Sequence, residues 1–271
     1  MLEANLISFN YGTGFKIDNI SFRVNDCELF YIVGPNGSGK TTLLKILAGL
    51  IKSQGELRVD NSSYNNLSSK ELARLISYVP QKLSFGLELI VKDYIAMGRY
   101  AYQRRFAPMS KDDKDFINQA IELTDVAEFL DRPIQTLSEG EKSKVLIAAT
   151  ICQNSKIILL DEPTAHLDLK SSCEILKLLV NLKNNSKKTI VVVTHDLNQA
   201  ALFADRVLGI REGENRFLGS ADGLIDNRVL INIYHRKFNI TYHPLTNQKL
   251  VAPDSIQDIF NVALTGAKVG S

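Results

Sequence analysis

The stretch ELFYIVGPNGSGKTTLLKILAGLI, residues 28–51, runs from a short β-branched and aromatic segment through a glycine-rich turn into apolar residues at helical spacing. Gly34, Gly39, Lys40 and Thr41 satisfy the pattern G-x-x-x-x-G-K-[ST]. In that pattern glycines let backbone N–H groups turn inward around phosphate oxygens, the lysine reaches the terminal phosphates, and the hydroxyl of Thr41 serves a magnesium ion. The helix that follows adds the positive end of its dipole. Pro35, Asn36, Gly37, Ser38 and Thr42 complete the set of loop positions expected to meet a nucleotide.

Working outward, two further apolar runs, KIILLD at 156–161 and TIVVVT at 189–194, have the unbroken hydrophobicity of strands buried on both faces. They predict an α/β core with a mainly parallel sheet flanked by helices. Asp161 and Glu162 stand where the first strand ends, the place in such a sheet where a carboxylate meets bound phosphates. Asp161 is the expected metal residue. Glu162 is the expected base for an attacking water, a contribution of about 10² to 10⁴ in rate. His195 follows the second strand and faces the same crevice, in reach of a γ-phosphate. Gln81, just after LISYVP, has the same placement and suits the metal or the lytic water.

Between these strands the local signals are mostly helical. Ser68 precedes Glu71 by three residues and Ser110 precedes Asp113 by three, both capping-box spacings, the second opening a helix expected to reach about Leu123. Residues of about 82–153 therefore form an inserted helical subdomain. LEANLISF, IDNISFRV and ELFYIV, punctuated by Asn10, Gly12, Gly14, Asn25 and Asp26, read as an antiparallel entry sheet. From Leu230 onward only strand-like pieces and turn signals are visible, giving a short extension over 231–271 packed at the edge, with the stretch from Asp254 expected to fray.

LSEGE, residues 137–141, has two readings. Ser138 can be the N-cap of the helix carrying KVLIAATIC, with Glu141 at the third helical position. The same N-terminus, with a hydroxyl at Ser138 and a glycine amide at Gly140, can bind an anion. Because the chain already holds its own phosphates with the loop at Gly34, the economical arrangement has a second subunit present the γ-phosphate to it.

Composition excludes several classes. The 271 residues are 45% hydrophobic with a net charge of +2, and basic residues are not gathered into a block, so no nucleic-acid partner is expected. The start MLEANLISFNYG lacks a secretory pattern, and no apolar run approaches the roughly 18 residues of a spanning helix, which points to the cytosol. Cys27, Cys152 and Cys173 show no CxxC spacing and are expected as free buried thiols.

The order GPNGSGKTT, Gln81, LSEGE, KIILLDEPTAHLD and His195 resembles the ATP-binding cassette (ABC) ATPases over residues 1 to about 220. The resemblance implies a RecA-like P-loop NTPase core with an antiparallel β subdomain and the helical insert, together forming the ATPase domain over 1–230. It implies ATP and Mg²⁺ as ligands, Tyr11 stacked on adenine, and a head-to-tail homodimer that sandwiches two ATP molecules against Ser138 to Gly140 of the opposite subunit. YVPQ, the MGRYAY run at 97–102, LTDVAEFLDRPIQTLSEGE, EPTAHLDL, THDLNQAALFADRV and the tail HPLTNQKLVAP are similar to subunits that energise import of iron-siderophore, haem or cobalamin. That implies separate transmembrane permease subunits, an indirect periplasmic or lipoprotein substrate-binding partner, and a peripheral place on the cytoplasmic face of the inner membrane. GRYAYQRRF, 98–106, reads equally as a docking surface or a solvated helix end.

Three positions depart from the family pattern: Glu139 and Glu141 within LSEGE, and Ala165 where serine is usual. A carboxylate near a partner's γ-phosphate repels it by about 1 kcal/mol when partly solvated, so Glu139 is expected to point away. A soluble cassette ATPase acting on a cytosolic assembly is the alternative, disfavoured as a DNA-organising machine because the interval before LSEGE has no sustained heptads. A small-molecule kinase has no use for LSEGE followed by DEPTAHLD.

Overall fold

Leu29–Val33, the strand that feeds the glycine-rich loop, lies inside a six-stranded sheet in a computed structural model that describes residues 1–12, 14, 16–81, 89–103 and 108–252. The order across the sheet is Glu214–Ser220, Arg206–Arg211, Leu29–Val33, Thr189–Val193, Ile157–Asp161, Ile76–Val79. All neighbours run parallel except the edge pair Glu214–Ser220 and Arg206–Arg211. Side chains alternate between faces. Leu29, Tyr31, Val33, Ile158, Leu160, Ile190 and Val192 pack against the helical side. Phe30, Ile32, Ile157, Leu159, Val191 and Val193 pack on the other side, against the loop's own helix Lys40–Leu47 and the antiparallel sheet. Each fully buried residue of this size contributes about 1.5–3 kcal/mol of transfer free energy, which explains the runs without polar alternation.

The same two-sided burial corrects one expectation. ELFYIV does not join the antiparallel sheet, whose order is Lys16–Val24, Leu2–Asn10, Gln54–Val59, Ser62–Ser63. In Lys16–Val24 only Ile17, Ile20, Phe22 and Val24 turn inward, as befits a sheet with one wet face, whereas all five residues of Leu29–Val33 are buried.

Between the strands Ile76–Val79 and Ile157–Asp161 the described residues include the helices Val91–Met97, Lys111–Thr124 and Glu139–Cys152. The capping boxes at Ser68/Glu71 and Ser110/Asp113 are both formed, and a third closes at Ser138/Glu141. Asp113 has a second partner that local spacing does not reveal. The Arg99 guanidinium donates to its Oδ1 at 2.8 Å and to the Cys152 carbonyl at 2.9 Å, and stacks on the rings of Tyr102 and Phe116. This buried pair ties the three helices together.

After the core, Asn227–Tyr234 is a two-turn helix with Leu230 and Ile233 fully buried. It straddles the boundary expected at 230, where only strand-like pieces were legible, because eight residues offer too short a periodic signal. The hairpin Asn239–Tyr242 with Lys249–Ala252 follows. The expected frayed stretch from Asp254 and the end of GRYAYQRRF lie outside the described residues. Of the three thiols only Cys152 is buried; Cys27 is half-buried and Cys173 exposed. Among the described residues no helix is long and apolar enough to cross a membrane.

Removing one member of a buried pair strands the other charge, so Arg99→Ala should lower the free energy of unfolding by about 3 kcal/mol in urea titrations. The Ser110 hydroxyl, and next the Arg99 guanidinium, hold the Asp113 carboxyl below the ordinary carboxylate range. Its contribution is therefore complete above that range and lost as pH falls through the folded value, and the wild-type minus Arg99→Ala difference should shrink in acid.

Candidate active site

At the top of Leu29–Val33 the chain must pass close beneath a neighbouring strand before it turns. A Cβ on Gly34 would sit 2.1 Å from the Ile210 carbonyl oxygen, so only glycine fits. Gly39, at φ 105°, is the N-cap of Lys40–Leu47 and offers no side chain to the helix. The first-turn amides of Lys40, Thr41 and Thr42 therefore have no intrahelical acceptor. Ser38 is buried behind the loop, where its carbonyl accepts from Gly213 N at 3.0 Å. Lys40 is buried too, and its ammonium donates to the neutral carbonyls of Gly34 and Pro35 at 2.8 and 3.0 Å.

Asp161 falls in the same alternation as Ile157 and Leu159, which turns it toward the loop helix. It is 1% exposed and accepts from the Thr41 hydroxyl at 3.1 Å. The Tyr78 hydroxyl, on the neighbouring strand, lies 3.5 Å from its other oxygen. Burial pushes the Asp161 carboxyl up, with the Thr41 hydrogen bond opposing, and burial pushes the Lys40 ammonium down, with Glu162 and Asp161 opposing. Both charges are thus held in a place that disfavours them. A polyanion against Lys40 and the free amides, with a divalent cation between Thr41 and Asp161, would complete the arrangement, and hydroxyl and carboxylate oxygens are the donors a hard cation takes.

Three residues from three strand ends converge on one atom. Oε2 of Glu162 accepts from Gln81 Nε2 at 2.9 Å and lies 3.2 Å from His195 Nδ1. Glu162 itself adopts φ 49°, a left-handed conformation unusual for glutamate, and its amide donates to the Val193 carbonyl. A cavity of about 560 Å³ brings Gln81, Glu162 and His195 together with Asn36, Gly37 and Gly39 to Thr42 of the loop. His166 also lines it, at φ 65°. Neither His166 nor Tyr78 carries a spacing signal in the sequence; only the turn after Glu162 and the strand neighbour reveal them.

Other expected residues stand apart from this cavity. Tyr11 is half-exposed at the rim, packed edge-to-face on Phe9, with its hydroxyl 3.5 Å from Thr42 Oγ1. Ser138 and Gly140 do not line the cavity of their own chain. Gly140 packs where a Cβ would meet Ser171 Oγ at 2.7 Å, a tertiary reason for the glycine. Glu139 is 65% exposed and its Oε1 pairs with Lys142 at 2.7 Å, while Glu141 reaches back to the Ser138 amide at 2.8 Å.

The family model described as ABC transporter matches residues 17–165. The petrobactin import ATP-binding protein FpuD of Bacillus anthracis is 32% identical, over 93% of this chain and 93% of its own. The ferric enterobactin transport ATP-binding protein FepC of Escherichia coli (strain K12) is 31% identical, again over 93% of each. Among solved structures, a transporter assigned to the metal-chelate type in an inward-facing conformation superposes with a TM-score of 0.82 at 27% identity, covering 94% of this chain and 98% of that one. The dimeric structure of the bacterial ABC transporter cassette MJ0796 superposes with a TM-score of 0.72 at 29% identity, covering 82% and 99%.

The raised Asp161 carboxyl means that its ionisation costs folding stability once pH passes the folded value. Asp161→Asn should therefore raise the thermal midpoint of the nucleotide-free chain at neutral pH, and the gain should vanish in acid. Differential scanning calorimetry at several pH values measures both.

Proposed function

This chain belongs to the ABC transporter family of ATP-binding cassettes, and on that premise we propose that it is the ATP-hydrolysing subunit of an importer for a metal chelate of the siderophore or haem kind. It is an ATPase. The observation that carries the residue assignments is the meeting of Gln81, Glu162 and His195 at one carboxylate oxygen beside Lys40 and Thr41.

The loop from Gly34 to Thr42 receives the triphosphate, with the Lys40 ammonium and the first-turn amides facing its oxygens. Thr41, Asp161 and Gln81 would hold Mg²⁺, which when bound neutralises charge on the phosphate oxygens and orients them. Glu162 Oε2 accepts the proton of the attacking water. Gln81 Nε2 and His195 Nδ1 hold that oxygen in place, and the exposed face of the His195 ring is free for the γ-phosphate. Tyr11, at the rim beside Thr42, offers an aromatic face to the base.

Ser138 and Gly140 act in the opposite subunit of a homodimer. Support for this comes from a contrast among the three capping boxes. The hydroxyls of Ser68 and Ser110 also lie 2.7 Å from their box carboxylates, Glu71 and Asp113. The Ser138 hydroxyl only accepts, from the Glu141 amide, and among the described residues its proton has no acceptor. That proton is available to a phosphate oxygen. Glu139, neutralised by Lys142, does not oppose it.

FpuD is named for petrobactin import and FepC for ferric enterobactin transport, which supports a role in which this subunit sits peripherally on the cytoplasmic face of the membrane, drives separate permease subunits and meets a substrate-binding protein only through them. The domain limits 1–230 and 231–271, with a helical insert of about 82–153, belong to the same proposal.

Glu162→Gln should lower steady-state ATP hydrolysis by about 10² to 10⁴ while ATP binding persists. With Mg²⁺-ATP the same variant should elute as a dimer, and adding Ser138→Ala should return it to monomer. Full hydrolysis by Glu162→Gln would remove the assigned base, and a monomer under all conditions would remove the shared site. Deleting the gene should abolish uptake of a labelled ferric siderophore or haem by whole cells; unchanged uptake of both would remove the cargo class.

A further inference from the structure

The turn that carries His195 is held from outside by a residue to which no role is yet attached. Thr194 N donates to the Ile32 carbonyl at 3.1 Å, and Asp196 N donates to the Thr194 hydroxyl at 3.0 Å. Asp196 then caps the helix Leu197–Phe203, its Oδ1 accepting from the amides of Asn198 and Gln199 at 2.9 and 3.0 Å. A seven-residue helix cannot locate itself by its own hydrogen bonds. Two neighbouring carboxamides anchor it. Gln199 Oε1 accepts from the Thr164 hydroxyl at 3.0 Å, in the turn that follows Glu162. Asn198 reaches the other way, to the C-terminal hairpin.

That second contact has two points. Val251 N donates to Asn198 Oδ1 at 2.7 Å, and Asn198 Nδ2 donates to the Val251 carbonyl at 3.0 Å. A carboxamide carries the same donor and acceptor as a peptide group, so Asn198 behaves as a one-residue partner strand. Val251 pairs with Ile240 in the hairpin register, and its outward N–H and C=O are those an edge strand leaves unpaired. Because one end must accept and the other donate, the orientation of the Asn198 amide is determined. Ile240, Leu250 and Val251 also pack on the core, so the hairpin is a seated anchor.

We propose that Asn198 is a positioning residue for ATP hydrolysis, latching the C-terminal hairpin onto the turn that aims His195 at Glu162. The inference rests on the hydrolytic roles given above to Glu162 and His195. His195 is 61% exposed on its side chain and touches Glu162 through Nδ1, so its direction depends on the backbone of 194–198. Small displacements of a catalytic group are costly, up to about 10²-fold for 1 Å.

Asn198→Ala removes both bonds while supplying a better helix former. Val251→Pro removes the outward N–H from the other side and leaves the helix sequence intact, at a position where the hairpin ladder does not need that donor. Either variant of the full chain should lower kcat about tenfold with the Kd for ATP unchanged. In a His195→Ala background, followed by single-turnover hydrolysis, Asn198→Ala should cost nothing more. Unchanged kcat in both folded variants overturns the latch, and so does an equal fold loss in the wild-type and His195→Ala backgrounds, which marks a structural role only. Amide hydrogen exchange at 195–199 should rise in Asn198→Ala, and protection that stays at the wild-type level overturns the latch even if the wild-type chain proves unable to hydrolyse ATP, a result that would defeat the functional reading separately.

Discussion

Burial of the parallel sheet on both faces is the constraint from which the rest of the molecule follows. Five strands that run the same way end at one edge, and the central ones are mainly apolar until they reach it. Asp161, which ends Ile157–Asp161, and His195, which follows Thr189–Val193, are therefore delivered to the same edge as the loop after Val33. Alternation then sorts them, placing Asp161 on the side of the loop helix, where Thr41 meets it.

Burial works against the charges in the crevice so formed. Lys40 is buried among carbonyls and Asp161 against the hydroxyls of Thr41 and Tyr78, and each is pushed toward its neutral form by burial. Glu162 stands in a left-handed conformation at the same place. The cost is thus concentrated where three strand ends meet. Away from it, charge is settled locally, as where Arg99 satisfies Asp113 and the Cys152 carbonyl together.

What could be read along the chain was whatever depends on near neighbours. The three capping boxes need only a hydroxyl and a carboxylate three residues apart, and the buried strands need only an unbroken apolar run. The helix Asn227–Tyr234 is not legible because two turns give too few repeats, and the sheet that ELFYIV joins is not legible because strand propensity says nothing about which partner a strand will take. His166 and Tyr78 escaped because a single residue at a turn or beside a strand has no periodicity.

The sequence by itself determined the strand–loop–helix at Gly34 to Thr42, the α/β class and the helices opened by the capping boxes at Ser68, Ser110 and Ser138, since each follows from short-range sterics, hydrogen bonding and burial pattern. Only the tertiary structure decided that Gln81, Glu162 and His195 share one oxygen, that Gly140 must be small because Ser171 lies against it, and that Asn198 pairs with Val251 across 53 positions of chain. Such contacts join residues far apart in sequence, and they exist only after the sheet has chosen its strand order and brought distant segments within a hydrogen bond of one another.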